Sequence, residues 1–199
     1  MAALKVFNKW EISGLTVNDP GLVKYISLEP KIVPKTGARY ASQRFHKSKI
    51  FILERLMNKL MVAGHKGKKH KVSSGRNTGK ANQIYNLVKE ALEIIEQRTK
   101  KNPIEVFLRA LENAAPREEI ITIEYGGARY PKSVEISPQR RIDLALRYMA
   151  QGAYHSSFNR KKESVYALVE EILAAYNIDS SSNAISKKFE LERQADSSK

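Results

Sequence analysis

Residues 119–136, EIITIEYGGARYPKSVEI, constrain the fold more than any other stretch. They alone carry period-2, β-rich patterning in a chain otherwise patterned for helices. The two arms meet at Gly126-Gly127, and a Gly-Gly pair accepts positive φ at both central positions of a tight turn, which predicts a β-hairpin. A two-stranded ribbon is marginal in water by itself. It must therefore lean on the flanking helices at its base and project its tip, where Tyr125, Arg129 and Tyr130 stand beside the two glycines.

Around the ribbon, apolar residues recur at helical spacing. Residues 48–62 form the first helix, with Ser48 as a candidate N-cap, Ile50, Phe51, Leu53, Met57, Leu60 and Met61 inward, and Glu54, Arg55, Asn58 and Lys59 as polar positions. Residues 81–98 repeat the pattern through Ile84, Leu87, Val88, Ala91, Leu92 and Ile95. Pro103 suits the first turn of a third helix over 103–115. After the ribbon, Ser137-Pro138 supplies an N-cap and a proline at the first helical position of a helix over 139–151. That helix buries Ile142, Ala145, Leu146 and Met149 and displays Arg140, Arg141 and Arg147. Arg140 and Arg141 sit in a first turn where the helix dipole disfavours cations, which points to a use for them. Residues 152–159, with Tyr154, His155 and Phe158, link to a helix over 161–176 that carries Glu163, Glu170 and Glu171 outward. Polar residues 179–183 then break the chain before a weakly apolar segment over 184–195. That last segment is expected to dock on a partner or stay mobile until it does.

The charge explains what such a body could hold. Lys and Arg number 35 against 21 Asp and Glu, a formal net charge of +14 and a sequence pI near 9.9. The excess calls for a polyanion, and nucleic acid fits better than a membrane, since no apolar run approaches spanning length and the N-terminus lacks a signal-like apolar core. With no cysteine, disulfides, thiol nucleophiles and zinc ribbons are excluded, and the cytosol is the simplest location. The basic residues concentrate in two places besides the arginine pair. The first is an N-terminal arm, punctuated by prolines and glycines, whose second half carries Lys31, Lys35, Arg39, Arg44 and Lys47 with Tyr40 and Phe45 interleaved. The second is the interval 64–80, where Lys66, Lys68, Lys69, Lys71, Arg76 and Lys80 stand among Gly, Ser and Asn in a loop. Charges so nearly of one sign are most naturally matched by phosphate. The expected organisation is a basic extension over 1–47, a helical body over 48–179 with the hairpin at 119–136, and a helical tail over 180–199.

Sharper chemistry fails on spacing. Gly75 to Gly79-Lys80-Ala81 has three residues between its glycines where a phosphate-binding P-loop has four, and Ala81 stands where a magnesium-binding hydroxyl belongs. His65 and His70 sit among lysines without cysteine or carboxylate nearby, so no metal site is expected. With His46 and His155 they form no triad, which argues against an RNA-processing enzyme. No catalytic residues, cofactor or small-molecule substrate are called for. A DNA-binding helical regulator remains a rival, and it would prefer duplex DNA to structured RNA.

Several strings, in order along nearly the whole chain, resemble ribosomal protein seven of the small subunit in its archaeal and eukaryotic form. They are PKTGARY (34–40), ERLMNKLM (54–61), NPIEVF (102–107), LENAAP (111–116), GGARYP (126–131) through Val134, RRIDLALR (140–147) and the ending SSNAISKKFELER (181–193). The resemblance implies a mainly α fold: a six-helix bundle with a protruding two-stranded β-hairpin and an extended basic N-terminal arm. It implies binding to the 3′ major domain of small-subunit rRNA, assembly of the subunit head, and a place on the exit-site side of the tRNA path. The family's ribbon glycines match Gly126 and Gly127, its ribbon arginine matches Arg129, and its helix arginines match Arg140 and Arg141. A Gly-Lys element of the family matches Gly79-Lys80. Together with the basic stretches above, the expected rRNA contacts are Lys35, Arg39, Arg44, Lys66, Lys68, Lys69, Lys71, Arg76, Lys80, Arg140 and Arg141. Ribbon and tail residues expected near tRNA and mRNA are Tyr125, Gly126, Gly127, Arg129, Tyr130, Lys187, Lys188 and Arg193. The resemblance also implies proteins nine and eleven of the small subunit as neighbours.

Overall fold

The computed structural model of the chain describes residues 4–37, 39–62 and 77–199. Among them run six helices and one antiparallel hairpin: α1 Ile52–Leu60, α2 Ala81–Thr99, α3 Pro103–Ala114, β1 Glu118–Tyr125, β2 Ala128–Glu135, α4 Pro138–Ser157, α5 Ser164–Tyr176 and α6 Asn183–Asp196. The mainly helical fold with a ribbon is as the resemblance implied. α5 packs against α2, α3 and α4 at once, and its Val165, Leu168, Val169 and Ile172 are buried. α3 starts as its sequence indicates. Pro103 occupies the first turn, and the Asn102 carboxamide oxygen accepts from the Ile104 N–H at 3.0 Å, matching one otherwise unpaired helix-end amide.

The N-terminal arm forms no α-helix among the described residues, only short 3-10 turns. Its first half is apolar and joins the core: Val6, Phe7, Trp10, Ile12, Leu22 and Ile26 are buried. Phe7 packs on Tyr85 of α2 with ring centroids 4.9 Å apart, and the Trp10 indole donates to Glu96 at 2.9 Å. Further along, the Asn18 N–H donates to Glu112 of α3. In its basic second half Lys35, Arg39 and Arg44 are exposed.

Four local expectations need correcting. The first helix starts at Ile52, because Ser48 lies in a 3-10 turn, His46–Lys49, and the Ile52 N–H donates to the Ser27 carbonyl. Two of its polar positions, Glu54 and Arg55, are buried and serve the arm: Glu54 accepts from the Thr36 N–H at 2.8 Å, and Arg55 donates to the Tyr25 carbonyl at 3.0 Å. α4 runs through Gly152 to Ser157, where a linker over 152–159 was expected. Glu171 is buried, not outward. These last two share one cause. A Cβ at position 152 would stand 2.5 Å from a Glu171 carboxylate oxygen and 2.8 Å from the Asn183 Cβ, so the missing side chain makes the space in which that carboxylate sits.

From there Glu171 caps the tail. It accepts from the Ser182 hydroxyl at 2.8 Å and from the Asn183 and Ala184 amides at 3.2 and 3.0 Å, occupying the electropositive start of α6. Burial raises its carboxyl above the ordinary range, against the lowering effect of those three donors. α6 docks on its own chain, with Ala184, Ile185 and Ala195 buried. It packs on α4 and β1. Its Glu192 accepts from the Arg117 N–H and Lys199 reaches Glu118 at 2.8 Å, so the tail braces the base of the ribbon.

In the ribbon, Gly126 and Gly127 take φ of 58° and 81° in open space, the double positive turn anticipated from their sequence. The register sets Ile123 opposite Tyr130 and Glu124 opposite Arg129. Ile121, Ile123, Tyr125 and Tyr130 consequently share one exposed face, with Thr122, Glu124, Arg129 and Pro131 on the other.

Candidate nucleic-acid interface

α1 and α4 pack side by side, and the basic half of the arm reaches both, through Tyr40 to Asn58 and Lys47 to Asp143. Between them lies a groove of about 480 Å³, lined among others by Tyr40, Lys47, Arg55, Lys59, Asp143 and Arg147. Four cations thus face one carboxylate. Asp143 bonds Lys47 through one oxygen and Arg55 through the other, the latter at 3.2 Å. Burial would raise the Asp143 carboxyl, but the Lys47 hydrogen bond and the charges of Arg55, Lys59 and Lys47 outweigh it and hold it below the ordinary range. Lys59 and Arg147 have no carboxylate within ion-pair distance among the described residues. Burial pushes the Lys59 ammonium down; Asp143 offsets this, while like charges on Arg147, Lys47 and Arg55 add to it. A half-buried ammonium beside three further cations and a single carboxylate is a setting in which an added anion would be stabilised.

The expected contact residues fall into three groups. Lys35, Arg39, Arg44 and Lys80 lie exposed. Lys35 donates to Asn82 at 2.9 Å at the start of α2, beside Lys80, while Arg44 stacks over Phe45 at 4.9 Å. Arg140 and Arg141 form the second group, and both are bound within the chain. Arg140 grips Glu119 through two bonds of 2.7 and 2.8 Å, which raises its pKa. Arg141 is largely covered; it donates to Asp19 at 2.7 Å and to the Pro116 carbonyl at 3.1 Å. Burial would raise the Asp19 carboxyl, and Arg141 brings it below the ordinary range instead. This pair locks the arm and the ribbon base onto α4. The third group, Lys66, Lys68, Lys69, Lys71 and Arg76, lies outside the described residues, as do His65 and His70.

At the ribbon tip, Tyr125 is 81% exposed and Tyr130 57%, and Arg129 stands 3.6 Å from Glu124 across the turn with both side chains open to solvent. The tail divides. Arg193 is exposed and Lys187 pairs with Glu190 one turn on, whereas Lys188 points inward and donates to the Asn113 carbonyl near the end of α3 at 2.8 Å. Burial lowers the Lys188 ammonium.

Sequence reasoning missed Lys47 and Lys59 as a set with Arg147. The available signal was the spacing: Arg55 and Lys59, like Asp143 and Arg147, are four apart and share a helix face. Their meeting is tertiary. Among the described residues no helix is long and apolar enough to cross a membrane, and no group of three or more His, Asp or Glu could hold a metal ion.

Residues 22–199 match the family Ribosomal protein S7p/S5e. The chain is 52% identical over 196 residues to a protein of Nanoarchaeum equitans named small ribosomal subunit protein uS7, covering 98% of this chain and 99% of that one. Proteins of the same name from Archaeoglobus fulgidus and Methanosphaera stadtmanae are 47% and 45% identical, covering 98% and 97% of this chain and 95% and 97% of theirs.

Proposed function

The chain belongs to the Ribosomal protein S7p/S5e family, and from that premise we propose that it is a structural protein of the small ribosomal subunit in the cytoplasm. It binds the 3′ major domain of the subunit's rRNA and organises assembly of the head. Its ribbon and tail line the exit-site side of the tRNA path, and proteins nine and eleven of the subunit are its neighbours. It is a scaffold and carries out no catalysis, as befits the family.

The observation that carries the reading is the groove between α1 and α4, where half-buried Lys59 and exposed Arg147 have no carboxylate within ion-pair distance among the described residues, in a chain of net charge +14. Folded RNA is held mainly through its phosphates, 2′-hydroxyls and shape. Lys59, Arg147, Lys35, Arg39, Arg44 and Lys80 supply phosphate partners over a broad surface, and the basic interval 66–76 adjoins Lys80 in sequence. Arg140 and Arg141 contribute less directly, because each must exchange an internal carboxylate for a phosphate. The ribbon supports a separate task. Its base is braced by α6, while Tyr125, Arg129 and Tyr130 at its tip are open for tRNA or mRNA.

Filter binding of the full chain to a transcript of the 3′ major domain, beside duplex DNA of equal length, tests the reading. The transcript should bind more tightly at every salt concentration. Preference for the duplex DNA would return the protein to the class of DNA regulators.

A further inference from the structure

The far end of α4 carries a feature that rRNA scaffolding in general does not require. Tyr154, in the last turn of α4, and Phe158, the residue just past its end, stack with ring centroids 5.3 Å apart and planes inclined by 28°. The helix stops at Ser157, Phe158 takes extended backbone, and Asn159 follows at a φ of 53°, so the chain turns away and leaves the outer ring 41% exposed. One side of the Phe158 ring is covered by Tyr154, and part of the ring is open to solvent. The two rings form one wall of an open trough of about 960 Å³, whose other walls include Asn77, Lys80 and Gln83 at the start of α2 and Lys162 before α5. No carboxylate lines the trough among the described residues. Lys80 has no ion-pair partner there, and Lys162 pairs with Glu170, which lies outside the walls.

Stacked rings, two ammonium groups and carboxamide edges suit one kind of occupant. Every nucleobase has a π-face that extends such a stack, each nucleotide carries a phosphate, and the base edge meets carboxamide donors and acceptors. An apolar peptide side chain would be poorly served by carboxamide and ammonium walls. We propose that the trough seats one unpaired nucleotide of single-stranded or looped-out RNA, its base continuing the Tyr154 and Phe158 stack and its phosphate meeting Lys80 and Lys162. The inference rests on the RNA-binding reading above and adds to it a defined seat for one nucleotide.

The test uses the full chain with a ten-nucleotide oligo(A) carrying one 2-aminopurine, a duplex RNA of the same length, and the 3′ major domain transcript. Phe158→Leu should weaken oligo(A) binding roughly tenfold, within the range for removal of one base stack, and abolish 2-aminopurine quenching while leaving the salt slope unchanged. Phe158→Tyr, which keeps the ring, should retain both. Lys80→Gln should lower the single-strand salt slope by about 0.7. Duplex binding should be indifferent to the ring. Undiminished oligo(A) binding by Phe158→Leu, or an equal loss on duplex, overturns the seat. If wild type binds the transcript but quenches no 2-aminopurine, the seat falls alone; if it fails to bind the transcript, the scaffold reading falls with it. In assembled subunits, a photoreactive phenylalanine analogue at position 158 should crosslink to RNA, and crosslinking to a neighbouring protein alone would overturn the proposal.

Discussion

The two ends of α4 carry similar residues to opposite effect. At its start, Arg140 and Arg141 are each held by a carboxylate, Glu119 and Asp19, and the arginines fasten ribbon base and arm to the body. From its middle onward, Arg147 faces a groove and Tyr154 and Phe158 face a trough whose walls add Lys80 and Lys162. One end is an internal clamp, and the other leaves Arg147 and Lys80 without a carboxylate partner among the described residues. Arginine count along a helix therefore says little about binding until each cation's partner is known. A paired cation is architecture first, because a phosphate must displace the carboxylate already there.

The comparison breaks most visibly at the boundary between clamp and groove. Asp143→Ala should destabilise the fold by about 3–5 kcal/mol in urea unfolding, because it strands the buried Arg55 guanidinium. The same carboxylate makes a pH prediction. Its folded pKa is depressed, so its stabilisation is complete above the unfolded value, about 3.9, and is lost as pH falls through the lower folded value. Acid titration of wild type against Asp143→Asn should show that component only in wild type.

Next in size is Gly152→Ala, which should cost about 1–3 kcal/mol by pushing a methyl group into the Glu171 carboxylate. Amide exchange should then quicken in α6 before the rest of the bundle. Uniform exchange across the bundle would mean that Glu171 does not hold the tail. Arg141→Ala should cost about 1–2 kcal/mol in thermal unfolding, since it removes a largely covered charge-assisted bond to Asp19. Arg140→Ala, at an exposed pair, should cost roughly 0.5 kcal/mol. Arg147→Gln should change stability by less than about 0.5 kcal/mol, the range for a surface site. A larger loss there would make Arg147 part of the clamp and erase the contrast.

Much of the bundle was legible in the sequence because the evidence for it is local. Helical spacing found α2, α3 and the cores of α4 and α5, and Gly126-Gly127 announced the ribbon turn, since these depend on residues within a few positions. What escaped depends on partners far along the chain. Gly152 reads as a helix breaker until Glu171 is seen in the space it leaves. Glu54 reads as a surface residue until Thr36 donates to it. The tail reads as too weakly apolar to dock without a partner, because its cap comes from another helix. The arm's first half lacks periodicity, yet Val6, Phe7 and Trp10 are core, an apolar content visible in the sequence whose destination was not. At the candidate site, composition and spacing named the basic residues. Whether each was clamp or contact depended on carboxylates as far away as Asp19 from Arg141.

The most direct test is the salt dependence of binding to the 3′ major domain transcript for two paired variants, Lys59→Gln with Arg147→Gln and Arg140→Gln with Arg141→Gln. Removing one cation from a phosphate should lower the slope of log affinity against log salt by about 0.9 in a duplex-like region and about 0.7 in a single strand. The account predicts a fall of roughly 1.5 for the groove pair and less than about 0.5 for the clamp pair. A clamp pair that flattens the slope as much as the groove pair, in protein that remains folded, would contradict it.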